Sequence, residues 1–212
     1  MLSLVKDDFA LLEAILWQPD RGYFLLDFHL DRLARSARFF ERALDVDDVR
    51  MRLERAAMDF GPKTRKVRLE FDPNGVLRIE ALSIEMSDTI VYAVSADPVQ
   101  SSDVFLQHKT SERAVYDQAM ARYSEAADVV LWNERGELTE SCHSNLVLDI
   151  GGQKLTPRQD CGLLPGTFRA FLLEQGEIAE AVLPLAALKE ADDVFLINSV
   201  RLWRRGIRFN EG

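Results

Sequence analysis

Lys109 lies in the run FLQHKTSER, between a strand-like stretch and a helix start instead of on the polar face of a helix. A lysine near a helix N-terminus opposes the helix dipole, so helix stability does not explain it. A primary amine there can act as a nucleophile toward a carbonyl or as an acid–base group, although by itself it also fits an ordinary solvated lysine. Glu140, in GELTESCHSNLVL, is a carboxylate just after a strand and beside small polar residues, where it can pair with a cation or simply meet water. The segment LLPGTFR, residues 163–169, opens a helix with a Pro-Gly turn and Thr167, offering backbone N–H groups and a hydroxyl to a phosphate. Arg32 sits one turn into a helix, where it is either part of a solvated face or a guanidinium fork for an anion.

Those groups need elements to hold them. Residues 9–26 contain two apolar runs, ALLEAILW and YFLL, separated by QPDRG, which is hairpin chemistry. Asp27 is then placed as an N-cap, and Leu30, Leu33, Ala34, Ala37 and Phe40 predict an amphipathic helix over 28–41 with Asp31, Arg32, Arg35 and Arg38 on its polar face. A second helix is expected over 46–60, ended by Gly61-Pro62, and KVRLEF and VLRIEAL flank Asp72-Pro73-Asn74-Gly75 as a second hairpin. The stretch SADPVQSSD has the composition of a linker. The expected division is a small α+β domain over 1–95, a linker over 96–103 and a larger α/β domain over 104–212. In the latter, a helix over 111–126, strands at DVVLWN, LTES, NLVLDI and 154–156, a helix from 166 to before Gly176, a short helix over 185–190 and a strand at DVFLIN follow from the pattern.

Composition narrows the chemistry. The chain has 212 residues, 47% of them hydrophobic and 29% charged, as a soluble globular protein with a sizeable core requires. With 26 Lys and Arg against 35 Asp and Glu, its formal charge of −9 argues against nucleic acid as a partner. It leaves room for a local anion pocket, because a few residues decide a site. The opening segment, with Asp7 and Asp8 where a signal peptide is apolar, predicts no targeting or membrane segment. Two cysteines, Cys142 and Cys161, and three histidines give neither a disulfide framework nor a metal cluster, so no metal is expected and a reducing cytoplasm is the simplest location. Cys142, His143 and Cys161 also lack the spacing of a thiol hydrolase. His108, adjacent to Lys109 on an extended segment, points to the opposite face and is read as structural.

Taken in order, HLDRLARSA (29–37), HKTSERAVYD (108–117), NERGELTESCHSNLVL (133–148), TPRQDCGLLPGTFR (156–169) and FLINSVR (195–201) resemble the fold-type IV pyridoxal phosphate enzymes, the class IV aminotransferase family. The match runs through nearly the whole chain. Within that family the wording HKTSER, LWNERGELTES, GLLPGTFR and LINSVRLW is most similar to the 4-amino-4-deoxychorismate lyase branch, especially the lyase-like domain fused to the synthase that aminates chorismate. The resemblance implies a two-domain fold of the D-amino acid aminotransferase type and pyridoxal 5′-phosphate as cofactor. It assigns Lys109 as the lysine that joins the cofactor and becomes the acid–base group, and Glu140 as the carboxylate facing the pyridine nitrogen. Arg32, Thr167, the backbone at Phe168 and Ser199 match the phosphate contacts. Arg201, in a run with Arg204, Arg205 and Arg208, and Asn198 are the candidates for substrate binding, and Asn145 is read as structural.

The implied reaction is conversion of 4-amino-4-deoxychorismate to 4-aminobenzoate and pyruvate, a step of folate synthesis. The alternative is a transaminase acting on branched-chain or D-amino acids, because the same lysine and glutamate serve both. The resemblance also implies a homodimer. At the start of the chain the family's usual first strand pair is missing, and Ala14 stands near the position where some members offer a threonine to the substrate. The late beginning is expected of the fused, lyase-like branch or of a start codon chosen too late.

Overall fold

The computed structural model describes residues 8–209, and the opening residues 1–7, on which the reading of the N-terminus partly rests, lie outside the described residues. Contacts divide the chain into two units, the first holding residues up to Glu85 together with His108–Glu112, the second holding Met86–Gln107 and the chain from Arg113 onward.

In the first unit, β1 (Leu11–Gln18) alternates so that Leu11, Glu13, Ile15 and Trp17 are buried on one face. It turns into β2 (Gly22–Tyr23), giving the expected hairpin with a short second arm. Helix α1 (Leu26–Phe39) buries His29, Leu30, Arg32, Leu33, Ser36 and Ala37, a stripe of helical period. Its N-cap is Leu25, held in the left-handed region at φ 53°, and not Asp27, which lies in the first turn and pairs with Arg50 at 2.6 Å. Helix α2 (Val46–Ala57) is capped by Asp45, whose side chain accepts from the Asp47 and Asp48 N–H groups. Strands β3 (Arg65–Phe71) and β4 (Leu77–Ser83) form the second hairpin, with Asp72 Oδ1 accepting from Asn74 and Val76 in its turn. The antiparallel sheet has the order β2-β1-β3-β4. Its register sets Leu11 opposite Phe71, Glu13 opposite Leu69 and Ile15 opposite Val67. One charged residue therefore stands in an apolar face where each buried side chain contributes about 1.5–3 kcal/mol.

The second unit is built on β5 (Thr89–Val94), followed by α3 (Val104–Gln107), α4 (Ala114–Ala121), β6 (Asp128–Trp132), β7 (Leu138–Ser141), β8 (Asn145–Ile150) and β9 (Gln153–Pro157). Helix α5 (Thr167–Glu174), β10 (Ala179–Ala181), β11 (Asp193–Asn198) and β12 (Leu202–Arg208) complete it, with single 3₁₀ turns at Gln159–Cys161 and Leu185–Lys189. The order is β10-β9-β8-β11-β12-β5-β6-β7, and Glu140 pairs back to Asn145, so that six strands close a ring from β8 round to β7. Strand β6 is buried on both faces. Val130 joins a cluster with Leu138, Leu146 and Leu196, while Val129 and Leu131 join Tyr116 and Ala119 of α4, which explains its continuous apolar wording.

Three expectations change. TIVYAV, read as the end of the small domain, pairs in parallel with β6 and β12 and so belongs to the second unit, moving the break to 85/86. The expected linker is ordered against that unit: Val99 is buried and bridges Asn133, and Ser101 donates to Glu134 through N and Oγ. Strand β12, unread because of Arg204, Arg205, Arg208 and Gly206, occupies a central place between β11 and β5. Glycine is required there, since a Cβ at 206 would lie 2.8 Å from the Tyr92 ring.

Candidate active site

Arg32 and Lys109 fall in the first unit, whereas Glu140, Thr167, Phe168, Asn198, Ser199 and Arg201 fall in the second. Lys109 was expected in the C-terminal domain, between a strand-like stretch and a helix start. It falls instead in the first unit, on an extended segment beside β1 five residues before α4: its carbonyl accepts from Leu12 N at 2.8 Å, Thr110 bridges Leu11, and Ser111 exchanges hydrogen bonds with Ala10. Main-chain pairing with β1 thus fixes the position of the lysine's Cα. His108 packs on Phe39 and Phe40 and shares a 2.9 Å hydrogen bond with Ser36 Oγ, a structural placement; burial, with Arg35 nearby, lowers its pKa.

Arg32 does not join the polar face of α1. It is 5% exposed, and its Nε and Nη2 donate to Glu13 Oε1 and Oε2 at 2.9 and 2.7 Å. His29, fully buried one turn earlier, places Nδ1 2.6 Å from Glu13 Oε2. Burial pushes the Glu13 carboxyl up, but Arg32 and His29 together outweigh it and hold the group down at about 2. For His29 burial dominates over the pull of Glu13, and the charges of Arg32 and Lys109 act in the same sense, so its pKa is lowered. The bidentate carboxylate locks the plane of the guanidinium before any ligand arrives. Glu13 and His29 escaped the sequence reading, yet a signal was present: a glutamate in phase with Leu11, Ile15 and Trp17, and a histidine one turn from the arginine.

Glu140, on fully buried β7, accepts at Oε1 from Tyr116 Oη at 2.8 Å and from Leu164 N at 3.1 Å. Asn145, opposite it in the register, donates to the Leu164 carbonyl at 2.9 Å, so the peptide before the Pro-Gly turn is held from both sides. Gly166 permits this approach, because a Cβ there would overlap Asn145 Oδ1. Thr167 and Phe168 begin α5, and both are buried. Arg169, by contrast, ties α5 to β9 and β10 through Thr156, Pro157 and Glu180.

In the turn after β11, Ser199 is buried and Leu202 adopts a left-handed φ of 59°. Asn198 donates to His143 O and Ser144 Oγ and accepts from the Val200 and Arg201 N–H groups. These hydrogen bonds shape the turn that carries Ser199 and Arg201. Beneath it, Asp128 accepts from Ser141 and His143, and Arg204, whose pKa burial lowers, donates to Ser144. The thiols of Cys142 and Cys161 are pushed up by burial to about 12 and about 11, which removes them as nucleophiles. Among the described residues no group of His, Cys, Asp and Glu is arranged to hold a metal, and no helix is long and apolar enough to cross a membrane.

With that geometry in view, the class of protein is defined: the chain belongs to the class IV aminotransferase family, whose model, described as amino-transferase class IV, matches residues 10–208. Among named relatives, it is 32% identical over 199 residues, 89% of this chain and 85% of the relative, to a Schizosaccharomyces pombe protein provisionally named aminodeoxychorismate lyase. It is 30% identical over 127 residues to the Saccharomyces cerevisiae aminodeoxychorismate lyase, covering 50% of this chain and 34% of that one. Among solved structures, a Mesorhizobium loti protein provisionally described as an amino-acid aminotransferase has 34% identity and a TM-score of 0.89, with 95% of this chain and all of that chain covered. A Legionella pneumophila protein provisionally described as 4-amino-4-deoxychorismate lyase shares the fold at 22% identity, with a TM-score of 0.83 over 95% of this chain and 83% of its own.

Proposed function

We propose that this chain is a lyase that converts 4-amino-4-deoxychorismate to 4-aminobenzoate and pyruvate, in folate synthesis. The observation that carries this reading is the relationship to the fission-yeast protein of that name along 89% of the chain. The cofactor of the class IV family is pyridoxal 5′-phosphate, and a Mycobacterium tuberculosis aminotransferase of the same fold is described in its PLP-bound form. The donor set fits that group. A guanidinium at Arg32, N–H groups at the start of α5 and the hydroxyls of Thr167 and Ser199 suit a phosphate dianion, and the buried Glu140 carboxylate suits a protonated pyridine nitrogen. Lys109 supplies the amine that joins the cofactor.

When bound, the cofactor supplies an electron sink for the charge left at an amine-bearing carbon that loses its proton. Lys109 would hold the cofactor at rest, and its Nζ as a free amine would take that proton from the ring carbon bearing the amino group and then hold the cofactor again as 4-aminobenzoate leaves. The bond from the neighbouring ring carbon to the enolpyruvyl oxygen breaks, the ring becomes aromatic, and the departing enol takes up a proton as pyruvate. Glu140 holds its charge against the ring nitrogen throughout. Arg201, presented by the Asn198 turn, faces a substrate carboxylate in this reading. The protein works as a cytoplasmic homodimer, for which two buried free thiols suit a reducing compartment.

A second reading, an aminotransferase, is favoured by the 34% identity to the Mesorhizobium loti protein; branched-chain or D-amino acids are the substrates the family resemblance implies for it. Purified protein loaded with PLP and given 4-amino-4-deoxychorismate is expected to release 4-aminobenzoate and pyruvate in equal amounts. Absence of both products, with steady exchange between an amino acid and a 2-oxo acid, would establish the aminotransferase instead. Light scattering is expected to return twice the mass of one chain.

A further inference from the structure

Tyr116 is a buried residue of α4 whose hydroxyl donates to Glu140 Oε1 at 2.8 Å. That same oxygen takes the Leu164 N–H at 3.1 Å, and the Leu164 carbonyl is held in turn by Asn145. One carboxylate oxygen is thereby fixed by two donors from different parts of the second unit, one from a helix and one from the loop before α5. Fixing Oε1 fixes the plane of the carboxylate and so the direction of Oε2. The tyrosine is itself held. Arg113 lies over its ring at 4.6 Å and donates to the Cys142 carbonyl at 2.7 Å.

We propose that Tyr116 is a positioning residue for the reaction, orienting the Glu140 carboxylate toward the ring nitrogen of the cofactor; the inference rests on the reading of Glu140 given above. Burial raises the Tyr116 pKa well above its ordinary value, with the Glu140 charge adding to it, so the phenol remains a donor wherever the protein is folded. A hydroxyl at this distance has one proton to give and gives it to Glu140.

The test uses the full chain, apo and reconstituted with PLP, in wild type, Y116F, E140Q and the double variant. Loss of one hydrogen bond to a charged group predicts that Y116F weakens PLP binding about ten-fold. The absorption maximum of the bound cofactor is expected to move, while the apo Tm stays within about 2 °C because the ring that fills the core is kept. In the E140Q background the same change is expected to alter PLP binding by less than about two-fold, since the group it positions has lost its charge. Unchanged affinity and spectrum in Y116F, with both altered in E140Q, would overturn the positioning role and leave the reading of Glu140 standing. An undiminished loss in the E140Q background would overturn it in favour of general packing. Unchanged affinity and spectrum in E140Q would refute the reading of Glu140 and Tyr116's role with it.

Discussion

Glu13 and Glu140 are both buried carboxylates, one in each unit, and they are held in different ways. Glu13 receives a full cation through two hydrogen bonds and a histidine through a third. Glu140 receives a phenol and a backbone N–H at one of its oxygens. The first arrangement balances its charge internally and is a structural element that presets Arg32. The second takes a phenol and a backbone N–H at one oxygen, and under the proposed function its charge faces the ring nitrogen of the cofactor. Burial by itself therefore does not distinguish the two carboxylates; the chemistry of their partners does.

The largest effect that would break this contrast is at Glu13. Glu13→Ala leaves a buried guanidinium without its counter-charge and is expected to cost about 3–5 kcal/mol in denaturant unfolding, against less than about 1 kcal/mol for Glu140→Gln. Equal costs would erase the distinction. Acid unfolding sharpens the same point. The Glu13 pKa is depressed from 4.5 to about 2, so its stabilisation is complete above the unfolded value and is lost as pH falls from 4.5 through about 2. His29, also lowered, weakens the fold in the same direction. Glu13→Gln is expected to flatten the acid limb of stability in that window.

A smaller effect is expected at the glycine beside Asn145. Gly166→Ala forces the Asn145 amide away from the Leu164 carbonyl and is expected to cost about 1–3 kcal/mol, with weaker PLP binding as the loop before α5 shifts. Smallest is the thiol next to Glu140. Cys142, raised to about 12 by burial and by Asp128, is expected to resist a thiol reagent at pH 8 in native wild type and in Glu140→Gln alike. Rapid labelling in the variant would mean that the Glu140 charge, and not packing, seals that region.

Much of the frame was legible because its signals are local. Asp72-Pro73-Asn74-Gly75 between alternating runs and the stripe Leu30, Leu33, Ala37 lead to the hairpin and helix found, and the motif order led to the family that residues 10–208 match. What was not legible depends on partners distant in sequence. Arg32 reads as surface until Glu13, 19 residues earlier, is placed against it. TIVYAV reads as the end of one domain until its parallel partners β6 and β12 are known. Lys109 reads as part of the C-terminal domain until the β1 edge captures its main chain. Tyr116, a helical aromatic with apolar neighbours in the sequence, carries no sign that its hydroxyl ends on Glu140.

The central assignment, Lys109 as the residue that joins the cofactor, is tested most directly by reducing the PLP-loaded protein with borohydride and locating the added pyridoxyl mass by peptide mass spectrometry. The mass is expected on the peptide containing Lys109, at one per chain, and to be absent from Lys109→Ala. A pyridoxyl group on another lysine, or none on protein that binds PLP, would contradict it.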